Sequence, residues 1–320
     1  MRLLVALAIG MAWASPGLAA IDRVTLMSMA SGVLKIEVVR AEGGYSIGSG
    51  VVVAPGRVVT NCHVTRNALR ISVVRGGLRW PVTAQSSDPY HDLCVLNVDA
   101  MQGKPFPLGD STRLAIGQSV TALGYTGGGE IQSSSGEVQV LHRMDGARVI
   151  RSSNFFSSGA SGGALFDDDL RLVGVLTFRL RGGAAHYYAV PIEWVVRELD
   201  AAFAQPVEPL SPGVLAFWEQ PASAQPLFLQ AASLERAGDW ASLRPLAANW
   251  ARGVTDDPEP WYLLGVAFDG QSLPNEARRA LECSLAIASD FEPARRRLDS
   301  IYLGAGLTIG LDEPPTPCRL

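Results

Sequence analysis

Between Val33 and about Val190 the chain alternates short apolar runs with Gly, Pro and polar turns. Leu34, Ile36 and Val38 alternate with Lys35 and Glu37, a period of two that turns one face of a strand inward and the other to water. Val51 to Val53 and Val58 to Thr60, joined by the turn APGR, predict a hairpin. ISVV (71–74), LCVLNV (93–98), SVTALGY (119–125), GEVQVL (136–141), ARVIRS (147–152) and LVGVLTFRL (172–180) predict further strands. Many short strands at this spacing predict an all-β sandwich or barrel. PIEWVVRELDAAF (191–203) predicts a closing helix that begins at Pro191, whose fixed φ and missing N–H suit a first turn.

Residues 205–225 hold Pro206, Pro209, Pro212 and Pro221 and show neither period, so they predict a linker. From 226 to 310 the pattern turns helical, in LFLQAASLERAGDWASLRPLAANWARG, WYLLGVAFDG, NEARRALECSLAIA and EPARRRLDSIYLG; residues 311–320 form a tail. Trp261, Leu264, Gly265, Phe268, Ala277 and Leu281 fall where a tetratricopeptide repeat carries its signature residues. The region resembles at least one such repeat, although Ser284 stands where a small Ala is usual and the terminal Pro is displaced to Pro293. Helical-repeat solenoids present concave surfaces, so this part is expected to dock a protein partner.

Composition narrows the classes. The chain has 320 residues, 48% of them apolar and 18% charged, enough to bury a core. A net charge of −4 lacks the basic footprint that nucleic acid demands, so that partner is excluded. Residues 1–20 carry Arg2, an apolar run from Leu3 to Trp13 and a small-residue exit at Ala19 and Ala20. This describes a secretory signal peptide cleaved near Ala20, too short to span a bilayer. No second segment looks transmembrane, so a periplasmic or secreted protein is expected. Export permits disulfides among the four cysteines, whose pairing the residues alone leave open.

Candidate chemistry centres on NFFSSGASGGALFDDD (154–169), where Ser161 lies among Gly159, Gly162 and Gly163. Peptide hydrolysis by a serine needs an activated hydroxyl, a base for its proton and donors for the oxyanion. Glycines let the backbone turn sharply enough to aim such donors. VVTNCHVT (58–65) places His63 just after an apolar strand, and DPYHDLCVLNV (88–98) places Asp92 at the start of another. Asp88 is the alternative carboxylate. His91 is expected at the surface, and His142 and His186 lack the flanking pattern of a catalytic base. No His or Cys pair shows metal-ligand spacing beyond the adjacent Cys62 and His63.

GSG (48–50), TNCHV (60–64), HDLCVL (91–96) and GASGGAL (159–165), in that order, resemble the trypsin-like serine peptidases, above all the bacterial branch with the periplasmic HtrA (Deg) proteases. The resemblance runs from about Gly32 to Leu199, within a domain bounded at 21–204. It implies an all-β double barrel, followed here by the smaller helical region. It also implies an endopeptidase acting on protein or peptide, without metal or organic cofactor. Ser161 is then the nucleophile, His63 the general base and Asp92 its orienting acid. The backbone N–H groups of Gly159 and Ser161 form the oxyanion hole. Thr177 lies near the carboxylate, Phe178 and Arg179 face the substrate, and Phe155 floors the first specificity pocket, which favours an apolar side chain there. Ala160 stands where digestive members carry an aspartate, so activation by a freed N-terminus is not expected. A folded triad would bring Cys62 and Cys94 together, and a disulfide there would stabilise by on the order of 3 kcal/mol. The rival reading is a catalytically silent peptide-binding adaptor on the same fold.

Overall fold

A short helix, α1 (Arg23–Ala30), leads into β1 (Val33–Arg40), where Leu34, Ile36 and Val38 are buried as the period of two requires. There follow β2 (Tyr45–Ala54), β3 (Arg57–Thr60), α2 (Cys62–Thr65), β4 (Ala68–Arg75), β5 (Leu78–Pro81), β6 (Ala84–Asp88) and β7 (Leu93–Asn97). These strands pair antiparallel in the order β6-β7-β3-β2-β1-β4-β5. The computed structural model describes residues 23–99, 101, 103–180, 186–200, 204–211, 213–305 and 318. The expected signal peptide lies outside these residues.

The second half of the β region comprises β8 (Ser119–Tyr125), β9 (Ile131–Met144), β10 (Ala147–Ser152), β11 (Ala164–Phe166), β12 (Leu172–Leu180) and β13 (His186–Pro191). They close into a barrel in the order β10-β13-β12-β11-β8-β9. Pro191 ends β13, and α3 (Ile192–Asp200) follows at once. The expected pair of barrels is therefore met by one closed barrel and one open, barrel-like sheet. That sheet gains an eighth strand at its β6 edge, β14 (Gln205–Pro206), from the segment expected to be a linker.

Five helices complete the described chain: α4 (Leu227–Ala237), α5 (Trp240–Gly253), α6 (Glu259–Gly270), α7 (Pro274–Ile287) and α8 (Glu292–Ala305), each packed on its neighbour in sequence. Gly238 in the left-handed region ends α4, and the Asp239 carboxylate caps α5 through the Ser242 N–H. At Gly265 an added Cβ would lie 2.7 Å from Leu281 Cγ, so glycine is what lets α6 approach α7. Ser284 is buried there and donates to Pro258 O at 2.8 Å. A disulfide joins Cys283 of α7 to Cys318. No helix among the described residues is long and apolar enough to cross a membrane.

One core ties these parts together. Val51, Leu93, Phe166, Val190 and Trp194 from the β region cluster with Phe217, Phe228 and Leu229 from the segment leading into α4 and its first turn. His142 of β9 is buried against Phe228, ring on ring at 4.3 Å, and its Nδ1 meets Glu259 Oε1 of α6 at 2.7 Å. The helices are thus seated on the closed barrel by apolar contact and by a buried polar pair.

Candidate active site

Antiparallel pairing sets the end of one strand beside the start of its partner. Thr60 at the end of β3 lies opposite Cys94 near the start of β7, so the residues just after β3 meet those just before β7. His63 and Asp92 are those residues. His63 Nδ1 lies 2.7 Å from Asp92 Oδ2, and the His63 N–H donates to Asp92 Oδ1 at 2.8 Å. Asp92 is fully buried and adopts φ 59°, a left-handed conformation that Asp tolerates better than most residues. Its carbonyl accepts from Cys62 N and from Asn61 Nδ2. Cys62 and Cys94 are joined by a disulfide across the same corner.

Ser161 lies in a loop whose backbone is crowded on all sides. Gly159 and Gly162 have φ of 95° and 85°; an added Cβ would lie 2.3 Å from Tyr125 O at the first and 2.1 Å from Ser49 O at the second. Ser49, within the GSG stretch of β2, stitches this loop to both sheets. Its N–H donates to Ser161 O, its Oγ donates to Gly159 O, and that Oγ accepts from Tyr125 N of β8. Thr60 Oγ1 in turn donates to Ser49 O. The backbone that carries Ser161 is therefore fixed relative to β3, the strand that delivers His63. Ser161 Oγ itself donates to Thr177 O at 3.3 Å, and no hydrogen bond joins it to His63 among the described residues. The N–H groups of Gly159 and Ser161 likewise donate to no other described residue.

Residues 48–175 match the trypsin-like peptidase domain family. A DegP-like protein of Halomonas elongata, described as a probable periplasmic serine endoprotease, is 31% identical over 162 residues, 48% of this chain and 34% of its own length. The serine protease Rv3671c of Mycobacterium tuberculosis is 28% identical over 142 residues, 40% of this chain and 35% of its own length. This chain carries a trypsin-like peptidase domain. It spans about a third of the length of the curated relatives it matches. Among solved structures, the active form of the Rv3671c protease superposes with TM-score 0.56 at 24% identity, over 65% of this chain and 99% of that one, a likeness of fold. The HtrA-type protease AlgW with tripeptide gives TM-score 0.51 at 25% identity, over 55% and 61% of the two chains.

The residues expected to bind substrate adjoin the site in contacts of their own. Phe155 lines a pocket with Ala122, Gln132, Phe156, Ala160 and Leu176, but it is 61% exposed. It therefore stands at the mouth, not at the floor; Phe156 and Leu176 are the buried walls. Thr177 does not bond the carboxylate. Its hydroxyl accepts from Asn61 Nδ2 and donates to Val175 O. Phe178 does not face the cleft either: it is 5% exposed, stacked on Tyr188 at 4.6 Å and on Trp218 at 5.1 Å. Arg179 is half-buried on β12, opposite Tyr187 of β13. The group that does reach Asp92 is one the sequence reasoning missed, Trp218, whose Nε1 donates to Oδ2 at 3.1 Å.

In both Asp–His clusters the carboxylates raise the imidazole pKa against its burial. Burial disfavours a charged His63 ring, but the neighbouring Asp92 carboxylate and its hydrogen bond outweigh this, so the pKa lies above 6.5. His91 is not a surface residue: it packs on Trp194 at 4.1 Å and bridges Asp88 and Asp145 at 2.5 and 3.0 Å. Burial opposes its charge as well, and those two carboxylates raise its pKa. Asp88 is spent on His91, which leaves Asp92 as the partner of His63. At the seam with the helices, burial and the nearby Arg151 and Arg236 push His186 down to about 4.

Proposed function

We propose that this chain is an exported serine endopeptidase that cleaves protein or peptide through an acyl-enzyme on Ser161. The observation that carries this reading is the 2.7 Å bond from His63 Nδ1 to a buried Asp92, held beside a glycine-crowded serine loop. Asp92 fixes the tautomer that protonates Nδ1 and leaves Nε2 free as the base. Rotation about the Cα–Cβ bond of Ser161 takes Oγ off Thr177 O. Oγ then attacks the scissile carbonyl carbon while its proton passes to His63 Nε2. The oxyanion is held by the unpartnered N–H groups of Gly159 and Ser161. His63 returns the proton to the leaving amine, and water, deprotonated by the same ring, cleaves the ester.

The pocket walled by Ala122, Phe156, Ala160 and Leu176 accepts an apolar side chain before the cut. Export is supported by relatives named as periplasmic and by two disulfides. The helices form a tetratricopeptide-like unit that positions protein partners, a reading supported by the Gly265 and Leu281 contact between α6 and α7. The bond from Ser161 Oγ to Thr177 O favours the rival, a silent adaptor. A fluorophosphonate probe separates the two: the peptidase forms a Ser161 adduct that is lost in Ser161→Ala and His63→Ala. Folded wild type that stays unlabelled and cuts no unfolded protein makes the chain an adaptor.

A further inference from the structure

The segment that joins the β region to the helices reaches into the candidate site. β14 pairs with β6, Leu210 N donates to Arg66 O, and Phe217 N donates to Tyr90 O at 2.9 Å. Arg66 and Glu219 form an ion pair, and Phe217 is fully buried. These contacts hold Trp218 from both sides. Its carbonyl accepts from Gln225 Nε2, and the Gln225 carbonyl accepts from Gln230 Nε2 of α4, so the residue is tied to the first helix as well. The Trp218 ring stands edge-on to His63 at 5.5 Å and 87°, and its Nε1 reaches the same Asp92 oxygen that meets His63 Nδ1.

We propose that Trp218 is a positioning residue of the His63–Asp92 pair: its indole N–H locks the carboxylate against rotation while its ring shields it from water. The proposal rests on the serine-peptidase reading. A buried carboxylate that accepts from three donors, His63 N, His63 Nδ1 and Trp218 Nε1, has one orientation. Without the indole donor, Oδ2 keeps only His63 Nδ1. The Thr177 hydroxyl does not take its place, because Oγ1 is engaged by Asn61 and Val175. His63 would then be aimed by a carboxylate free to tilt, and Nε2 would meet Ser161 less often in the reactive pose.

The test uses the full chain and Trp218→Phe, which keeps an aromatic ring and removes the N–H. Histidine-selective isotope labelling follows His63 by NMR; the chain has four histidines, so the signal is assignable by single replacement. We expect the His63 midpoint to move to higher pH, since the carboxylate loses a neutralising dipole and acts more fully on the imidazolium. We also expect fluorophosphonate labelling of Ser161 to slow about tenfold and the thermal unfolding midpoint to fall by a few degrees, the loss of one hydrogen bond to a charged group. A folded variant with the wild-type midpoint and the wild-type labelling rate would overturn the proposal. If Trp218→Phe does not fold, benzothienylalanine at position 218, which keeps the bicyclic shape without the N–H, is read the same way. A shifted His63 midpoint in a protein whose wild type never labels would sink the peptidase reading and leave the positioning role standing.

Discussion

Gly162→Ala tests whether the serine loop is as crowded as the structure shows. The residue sits at φ 85°, and a Cβ there would lie 2.1 Å from Ser49 O and 2.4 Å from Thr60 Oγ1. Neither oxygen can retreat easily. Thr60 Oγ1 donates to Ser49 O at 2.7 Å, Ser49 N donates to Ser161 O at 2.8 Å, and Gly162 N donates to Leu176 O at 2.8 Å. Relief requires the loop to move by about 1 Å and so to weaken at least one of these bonds. A left-handed backbone costs a residue with a side chain about 1–2 kcal/mol, and overpacking a fixed site adds about 1–3 kcal/mol. The expected loss is the sum, about 2–5 kcal/mol. Gly146→Ala is the control: it has φ 75° in the turn between β9 and β10, with nothing within 4 Å of the added atom, and so carries the conformational cost alone. Urea unfolding of both variants, read by tryptophan fluorescence, isolates the crowding contribution as their difference. Gly162→Ala should also label slowly at Ser161. Equal losses of stability in the two variants would refute the claim that the loop is held by Ser49 and Thr60.

Because the His63 pKa is raised above 6.5 and the base must be neutral, kcat/KM should rise with pH through an inflection above 6.5; an inflection below that value contradicts the pairing with Asp92. His91→Ala should leave labelling intact but destabilise the fold. The raised pKa of His91 means its contribution is fully present below pH 6.5 and fades as pH rises through the folded value, so the gap to wild type should be wider near pH 5.5 than near pH 9. Replacing Cys62 and Cys94 together by serine should remove about 4 kcal/mol in chemical denaturation; an unchanged denaturation midpoint counts against that bridge. Glu259→Leu leaves the buried His142 Nδ1 without its partner and should weaken the seat of the helices by about 1–3 kcal/mol; an unchanged unfolding curve counts against the buried pair.

Much of the site was legible because its demands are local. A nucleophile loop needs glycines next to the serine, and the chain spells them out. β1 obeys a period of two, while β3, β7, β8 and β12 are continuous apolar runs between turn signals, buried along nearly their whole length, so all five follow from the pattern. Shorter elements did not show themselves: β11 is three residues inside a loop motif, β5 is a largely exposed four-residue strand ending in Pro81, β6 is largely polar, and β14 holds a proline. Whether the first sheet closes depends on which edges meet, and no residue type encodes that.

Partner choice was the harder matter, and it turns on register. DPYHDL offers two carboxylates and one imidazole within five residues, and TNCH offers another imidazole. Residue types alone allow either carboxylate to serve His63. Pairing of Thr60 with Cys94 removes the choice, because it sets the residue two before Cys94 beside the residue three after Thr60. Asp88, at the end of β6, is carried away from that corner and takes His91. Trp218 escaped for a related reason. A proline-rich stretch without a period reads as a linker, yet Phe217 and Trp218 stand side by side within it, and two large aromatics in a solvated tether would expose area that folding normally removes from water. That pair was the available signal that the segment is docked. What it docks against could not be read, since the indole's partner lies 126 residues earlier and is selected by the same β3 and β7 register that brings His63 to Asp92.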